Sequence, residues 1–519
     1  MNISTCQREA PPRTAYSVNC RVHKKIKELA VVSLLLIIAC ILIFTNLDGQ
    51  YLCQDEGKTA VLAERVMEFG YPKVYDGKNL VDPAVNSGYS KDRGWRDYPW
   101  IPFYVTAVSF KIFGSNAWSA RFPFAATGVV SICLLYLLAR QVFNDSLAAV
   151  ISSVLIVLSV PYILMMRQCG HYALVSALVL FIFIFYRRFV ERPGWGAAVL
   201  CSGALVLLAY SMHVIFISIF VALGFHFLVF CRKKECIVPV VFCASAVLLA
   251  ALPWFLYSHG AWYAAPVTRG KIMSNIKSDV EMMNKYVFPV FFFGVVYIVR
   301  GMWKRKWSLS VLDGERNYLV LLCTVILVSV ATLAVSDEMN FSHLAFLLPL
   351  LAIAEAMILV RTFRWNSSVF YSFMILSVLT GVFNVGHPTF CFPKYLYDMT
   401  YEHDGPRKEV VKFLKKNAMP SDMVKMNHED ASVMFYTGLK VDNSGIYDDA
   451  HMPEWIVFRH DCGESLDSPY YQKVQAVYNR YDVDYADIKW ANMSDDMVYN
   501  KLWTDESDPG VIIFGKRKI

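Results

Sequence analysis

The sequence predicts a polytopic α-helical membrane protein of about 11 spans, followed by a small soluble α/β domain. Of its 519 residues, 56% are hydrophobic and only 18% are charged, whereas soluble domains carry about 25% charged residues. The apolar residues gather in runs close to the length of about twenty residues that crosses a bilayer. The formal net charge of +7 does not indicate nucleic-acid binding, because Lys and Arg form short clusters between apolar runs, a pattern typical of membrane topology.

Each apolar run of spanning length is predicted to be a membrane helix. Residues 1–28 are polar and basic and are interpreted as a cytoplasmic tail, and the first run is interpreted as an uncleaved signal anchor. The shorter stretch 99–113 is expected to lie in the interface or to enter the membrane partway. The predicted spans lie near 29–46, 122–140, 146–165, 172–187, 195–211, 213–231, 237–257, 285–299, 317–335, 341–360 and 367–385.

Lys and Arg set the predicted orientation. Their clusters fall at every second loop, and cytoplasmic loops carry an excess of these residues. The clusters lie near 21–27, 187–192, 232–234, 300–306 and 361–364. The N-terminus is therefore predicted inside. The long loop 47–98, which follows the first span, is therefore expected outside. Because the predicted number of spans in the transmembrane domain 29–385 is odd, the tail 386–519 is expected outside as well.

The tail 386–519 is predicted to fold as a small α/β domain. It is rich in Asp, Glu, Tyr and Lys, in contrast to the apolar segments before it. Apolar residues at 410–414 have helical spacing, and the runs 453–458 and 510–514 are typical of strands.

An acidic pair, Asp55-Glu56, lies just beyond the outer end of the first predicted span. One interpretation is structural: Asp55 caps the helix predicted at 57–69 and Glu56 is a favourable first-turn acid. The other is catalytic, with a carboxylate at the bilayer rim acting as a general base toward an acceptor hydroxyl. The local pattern alone favours the structural interpretation.

Two arginines at outer helix ends are candidate anion-binding groups. Arg121 begins the second span, where an Arg commonly reaches toward the interface but is also placed to clamp a lipid phosphate. Arg167 lies in a very short outer loop and breaks the positive-inside pattern, so it needs an acidic partner or an anionic ligand. His171 follows in the same loop, and the two together predict an anion site.

The chain carries no Walker loop, no Gly-rich dinucleotide fingerprint and no HExxH motif. Nucleotide-driven chemistry is therefore unsupported, and an activated lipid is the expected energy source.

The order of these motifs resembles the dolichyl-phosphate-mannose protein mannosyltransferase superfamily, including bacterial aminoarabinose transferases. The resemblance rests on Asp55-Glu56 after the first span, on the aromatic and proline-containing segment 98–114, on Ala120-Arg121-Phe122-Pro123 and on the loop segment 167–174. It extends over roughly the first two hundred residues, and the order of spans and the outer C-terminal domain are also similar.

The resemblance implies a C-type (GT-C) glycosyltransferase fold and an inverting sugar transfer from a polyprenyl-phosphate donor outside the membrane. It assigns Asp55 as the base, Glu56 as the second acid of the motif, and Arg121, Arg167 and His171 to the donor phosphate. The scheme requires no metal and is compatible with a divalent ion near the acids. The acceptor is left open among lipids, glycans and proteins; membrane lipid is expected around the spans, and no nucleic acid.

Three further residues are weaker candidates for the substrate pocket. Asp97 and Tyr98 precede Pro99, where the family usually has a Pro-Pro-Leu segment, and their structural interpretation is the stronger one. His343 stands where the family usually has Arg-Tyr, which puts a donor-phosphate role there in doubt.

The leading alternative is a transporter or flippase for glycolipids, which predicts paired broken helices or charges near mid-bilayer. Glu355 is the main intramembrane acid. An O-antigen ligase or polymerase would carry its large outer loop late in the chain, and a receptor is suggested only by the existence of the tail.

Overall fold

The computed structural model is built mainly of apolar helices, with a small sheet near the C-terminal end. It describes residues 13–81, 94–230, 233–258, 268–286, 313–334, 344–377, 396, 400, 406–426, 430–442, 452–459, 481–486, 491–492, 504–505 and 511–516.

The helices follow the predicted apolar runs closely. The first part of the chain holds α1 (Arg13–Phe44), α2 (Gln54–Phe69), α3 (Ile101–Phe113), α4 (Ala117–Phe143), α5 (Ser146–Val157), α6 (Val160–Arg167), α7 (Tyr172–Glu191), α8 (Trp195–Ala209), α9 (His213–Phe230) and α10 (Ile237–Ser258). Then come α11 (Arg269–Tyr286), α12 (Asp313–Ala334), α13 (Leu347–Trp365) and α14 (Ser367–Ser377). The predicted span 285–299 and the end of 367–385 lie outside the described residues.

Among the described residues, four helices are long and apolar enough to cross a membrane, and a bent pair makes a fifth. The four are Ile26–Phe44, Ala117–Phe143, Tyr172–Glu191 and Lys234–Ser258. Shorter apolar helices accompany them at 101–113, 195–209, 213–229 and 320–334. The chain is thus a multi-pass membrane protein, and its total of about 11 spans stays a prediction.

The predicted span 146–165 is not one continuous helix, because the chain bends there by 69° between α5 and α6. Pro161 accounts for the break: it lacks the N–H that would bond to the carbonyl of Val157, and its ring would clash with that carbonyl. Ser159 is the extended residue before α6. In the part of the chain that the structure describes, this is one broken helix, not the pair that the transporter alternative predicts.

The core of the membrane part forms around α4, which packs against α1, α3, α5, α6 and α7. The helices are apolar on most faces, because each face of a membrane helix contacts either lipid or the apolar side chains of a neighbouring helix. Buried hydroxyls join neighbouring helices: the Tyr162 hydroxyl lies within hydrogen-bond distance of Ser131 Oγ and, at 3.0 Å, of Ser176 Oγ. These bonds satisfy polar groups that would be costly to bury alone.

The C-terminal part is an α/β fold, as predicted. It contains α15 (Pro406–Asn417), β1 (Met423–Met426), α16 (Asp430–Thr437), β2 (Lys440–Asp442), β3 (Trp455–Arg459), β4 (Tyr481–Ala486), β5 (Ala491–Asn492), β6 (Thr504–Asp505) and β7 (Val511–Lys516). The main sheet has the order β2-β1-β3-β7-β4. β1 pairs in parallel with β2 and β3, whereas β7 is antiparallel to β3 and β4. Val424 and Ile456 lie fully buried within it.

Candidate functional site

The acidic turn, residues 53–57, begins α2 shortly after the C-terminal end of α1. Cys53 is the N-cap residue, with φ −74° and ψ 177°. The structural interpretation of Asp55 as the cap is therefore wrong, because Asp55 is the second residue inside the helix. Glu56 is the third, and its Oε2 accepts a hydrogen bond from Cys53 N at 3.2 Å. It thus satisfies one of the otherwise unpaired N–H groups at this helix start.

Glu56 lies at the centre of a buried hub formed by Cys53, Glu56, Arg121 and Cys169. Its side chain is 2% exposed. Arg121 donates to it twice, from Nε to Oε1 at 2.8 Å and from Nη2 to Oε2 at 2.6 Å. Cys169 N donates to Oε1 at 2.9 Å. The hub therefore ties α2 to α4 and to the loop between α6 and α7.

The hub sets the charge state of Glu56. Burial by itself would raise the pKa of the carboxyl, but the Arg121 charge and the hydrogen bonds from Arg121, Cys169 and Cys53 outweigh it, so the pKa lies below its usual value. Burial raises the pKa of the Cys53 and Cys169 thiols, and the negative charge of Glu56 adds to the effect. Both cysteines are therefore held as neutral thiols.

The predicted donor-phosphate role of Arg121 does not match its contacts. Besides Glu56, Arg121 donates from Nη1 to the carbonyls of Leu47 at 2.9 Å and Gln50 at 2.8 Å, and from Nη2 to Tyr51 O at 3.5 Å. All five guanidinium N–H groups are then engaged. Arg121 holds the chain between α1 and α2 in place.

Arg167 is likewise directed at main-chain oxygens. Its Nη1 donates to the carbonyls of Leu42 and Ile43, and its Nη2 to that of Asn46, each at 3.0 Å. These carbonyls belong to the last turn of α1 and the residues after it, where helices leave carbonyls unpaired and favour a cation. Arg167 therefore stabilises the C-terminal end of α1.

Asp55 differs from its neighbour in exposure. Its side chain is 52% exposed, and its Oδ1 lies 3.9 Å from Lys58 Nζ. Asp55 thus presents a carboxylate at the surface of the turn, while the adjacent Glu56 is enclosed. The catalytic assignment of either acid stays a prediction.

Of the other predicted site residues, His171, Asp97 and Tyr98 lie near the buried hub, and His343 lies outside the described residues. The His171 ring stacks on Tyr98 with centroids 6.2 Å apart, which brings segment 97–98 against the loop that supplies Cys169 to the hub. Asp97 is half-buried beside Tyr98. In the described ranges, no group of three or more His, Cys, Asp or Glu side chains has metal-binding geometry.

A second cluster, absent from the sequence predictions, surrounds Arg96. Its guanidinium carbon lies 5.2 Å from the centre of the Tyr257 ring. Trp100 packs edge-on against Tyr257 at 5.4 Å and against Trp254 at 6.3 Å, and the His213 ring lies 6.0 Å from Trp254. We call these five residues the Arg96 cluster. The structure gives Arg96 no acidic partner among the described residues, and its Nε is buried without a hydrogen bond there.

The signal for the Arg96 cluster was present in the sequence. Arg96 lies between aromatic residues, in Trp95-Arg96-Asp97-Tyr98, on the side of the membrane that is predicted to be outer, as does Arg167 near Tyr172. The tertiary contact with Tyr257, however, joins segments more than 150 residues apart.

Comparisons with known proteins agree with the resemblance. The family model for dolichyl-phosphate-mannose-protein mannosyltransferase matches residues 97–257. The fold is similar to the crystal structure of ArnT from Cupriavidus metallidurans bound to undecaprenyl phosphate, at 12% identity and a TM-score of 0.57, covering 93% of this chain and 97% of that one. A comparison with curated proteins by sequence finds no match.

A second similar structure is the archaeal oligosaccharyltransferase AglB from Archaeoglobus fulgidus in complex with an inhibitory peptide and a dolichol-phosphate. It is 12% identical, with a TM-score of 0.53, and the match covers 88% of this chain and 71% of that one. Together these matches confirm the resemblance to the dolichyl-phosphate-mannose protein mannosyltransferase and aminoarabinose transferase-like superfamily, and they give the chain the GT-C fold.

Proposed function

We propose that the chain is a membrane glycosyltransferase that moves a sugar from a polyprenyl-phosphate donor to an acceptor hydroxyl on the outer face, with inversion. The observation that carries this proposal is the contrast within the acidic turn: Asp55 is half-exposed beside the fully enclosed Glu56. A carboxylate held rigidly by an adjacent buried hub, yet open to a substrate, has the geometry of a general base.

In the proposed reaction, Asp55 accepts the proton of the acceptor hydroxyl while the hydroxyl oxygen forms a bond to the anomeric carbon of the sugar. The bond from that carbon to the phosphate oxygen breaks, and the polyprenyl phosphate leaves with the electron pair. Because the hydroxyl attacks from the face opposite the phosphate, the configuration inverts. Negative charge builds up on the leaving phosphate, so fixed cationic donors there stabilise the transition state.

We assign the donor phosphate to Arg96, with His171 beside it, in place of Arg121 and Arg167. Arg121 already donates to Glu56 and to carbonyls, and Arg167 donates to the carbonyls after α1. Arg96 is stacked on Tyr257 and lacks an acidic partner in the described ranges, so its planar fork is available to a phosphate. Trp100 and the buried Trp254 pack against the Tyr257 ring and hold it in place under the guanidinium.

This assignment requires the acidic turn on the outer side. The proposed topology has the N-terminus and the loop 187–193 inside, and the segments 47–98 and 386–519 outside. Cysteine labelling at Lys408 and at Arg192, from each side of sealed vesicles, tests the orientation. Labelling of both positions from the same side contradicts it.

The test of the function is turnover with a defined polyprenyl-phosphate sugar and a set of candidate acceptors. Asp55→Asn keeps the size of the side chain but cannot take the proton, and we expect a loss of about a hundredfold to ten-thousandfold in kcat. Glu68→Gln is the matched control, because Glu68 is an exposed acid on the same helix, about 20 Å away along its axis.

Donor binding measured beside turnover separates the alternatives. We expect Asp55→Asn to bind the donor as the wild type does. Wild-type turnover of Asp55→Asn would contradict the assignment of the base. Movement of the lipid-linked sugar across the membrane, with no transfer to any acceptor, would favour the flippase instead.

A further inference from the structure

The C-terminal domain contacts the acidic turn directly, through α16. Leu52 N donates to the Tyr436 hydroxyl at 2.9 Å, and Ser432 Oγ donates to Leu52 O at 2.6 Å. Both main-chain groups of the residue before the helix cap are therefore bound by α16. The Tyr51 and Tyr436 rings stack with centroids 4.1 Å apart.

Further contacts between the C-terminal domain and the membrane part lie on both sides of Leu52. Gln54 Nε2 donates to Asp430 Oδ1, and Arg407 Nη1 donates to Tyr51 O at 3.2 Å. Away from the turn, Asn79 Nδ2 donates to Leu439 O at 2.9 Å. Its Oδ1 accepts from Val441 N at 2.8 Å. The loop after α2 is thus paired with the start of β2, so the domain holds α2 at both ends.

Gly57 permits the closest approach. A Cβ at this position would lie 2.8 Å from Ser432 N, 2.9 Å from Ser432 Oγ and 3.1 Å from the carbonyl carbon of Ala431. Two of these three atoms are backbone, so a side-chain rotation does not relieve the clash. At an open site within a helix, replacing Gly by Ala stabilises the fold by about 0.5–1 kcal/mol. At position 57 the clash of the added Cβ with α16 reverses this preference.

From these contacts we propose that the C-terminal domain is a positioning element for the acidic turn, acting through Gly57, Ser432 and Tyr436. The inference rests on the proposed function, in which Asp55 is the base. The membrane part fixes one side of the turn through Glu56, and α16 fixes the other side through Leu52 and Gly57. Asp55 lies between these two attachments, and its angle toward an acceptor depends on both.

The test compares Gly57→Ala and Tyr436→Phe with the wild type in the full-length protein. Gly57→Ala pushes α16 away from the turn, and Tyr436→Phe removes the hydroxyl that accepts from Leu52 N but keeps the aromatic ring. A displacement of about 1 Å at a catalytic group costs about a hundredfold. We therefore expect kcat to fall about tenfold to a hundredfold, with the affinity for polyprenyl phosphate within about twofold of wild type, because the ring and cation contacts described for the Arg96 cluster join its own members.

Gly203→Ala is the matched control, because Gly203 lies within α8 and a Cβ there meets nothing within 4 Å. It should leave kcat and lipid affinity unchanged. Wild-type kcat in both Gly57→Ala and Tyr436→Phe, with Asp55→Asn inactive, overturns the positioning proposal alone. Equal losses of kcat and lipid affinity in Tyr436→Phe also overturn it, because they indicate a general loss of structure. Wild-type turnover of Asp55→Asn overturns the base and, with it, this inference.

Discussion

The molecule contains two arginine-centred regions with opposite character. In the buried hub, Arg121 is 3% exposed and all its donors are used by Glu56 and by main-chain carbonyls. In the Arg96 cluster, the guanidinium lies over Tyr257 and lacks an acidic partner in the described part of the chain. The first arrangement holds elements together, and the second leaves a cation available to a ligand. Position at the outer membrane edge therefore does not by itself distinguish a binding arginine from a structural one.

Removing the arginine of the hub should have the largest effect on stability. Arg121→Ala leaves Glu56 buried and unpaired, and breaking a buried ion pair from one side costs about 3–5 kcal/mol. We expect a strong loss of thermal stability in detergent or nanodiscs. The double variant Glu56→Gln with Arg121→Met should recover most of the loss, because no uncompensated charge remains. If Arg121→Ala unfolds at the wild-type temperature, the hub is not a structural centre.

Removing the arginine of the cluster should instead weaken ligand binding and leave stability nearly unchanged. A hydrogen bond to a charged group contributes about 1.5–3 kcal/mol, so Arg96→Ala should bind polyprenyl phosphate about tenfold to a hundredfold more weakly. Arg96→Lys should rescue little, because Lys lacks the planar fork.

The control for Arg96 is Lys73→Ala, which removes another outer cation that lies over an aromatic ring, 4.1 Å from the centre of Phe69. Isothermal titration with the lipid phosphate measures both variants. Equal affinities for Arg96→Ala and the wild type would place the phosphate elsewhere.

Replacing Arg167 should lower the stability as replacing Arg121 does, but by a smaller amount. It satisfies three carbonyls in and just after the last turn of α1, and each such bond contributes about 0.5–1.5 kcal/mol. Arg167→Ala should therefore lower the free energy of unfolding by about 1.5–4.5 kcal/mol while leaving the affinity for the lipid phosphate unchanged. A large loss of lipid affinity without a loss of stability would return Arg167 to the donor site.

The smallest expected effect is the change in thermal stability that mild acid causes through the hub. Because folding lowers the pKa of Glu56, its contribution to stability is fully present above the usual carboxyl pKa of about 4.3. It is lost only as the pH falls through the lower folded-state pKa. Thermal unfolding should therefore change little between about pH 7 and pH 5 and decline below about pH 4. The Glu56→Gln variant should lack this decline, and an equal decline in that variant would assign it to other carboxyls.

The sequence predicted the apolar helices, the α/β character of the C-terminal part and the region of the site. Asp55, Glu56, Arg121 and Arg167 do converge on one region near the end of α1, and the resemblance that their order indicated is confirmed. Local pattern also indicates the break in the third predicted span, 146–165, because Pro161 within it interrupts helical hydrogen bonding although the hydropathy of the run is continuous.

The partners of the site residues were not predictable in the same way. Which acid of the pair is enclosed depends on Cys169 N and Arg121, which lie 113 and 65 residues from Glu56. Helix periodicity places both acids in the first turn and does not tell which one faces a neighbouring element. The contact between Gly57 and Ser432 likewise exists only once the C-terminal domain has docked.

The bend between α5 and α6 has a consequence for the bilayer itself. The 12 residues of α5 and the 8 residues of α6 measure about 18 Å and 12 Å along their own axes. With α5 along the bilayer normal, the 69° bend leaves the pair about 22 Å tall, against a hydrocarbon thickness of about 30 Å. The pair therefore ends about 8 Å short of that thickness, at the loop that delivers Cys169 to Glu56.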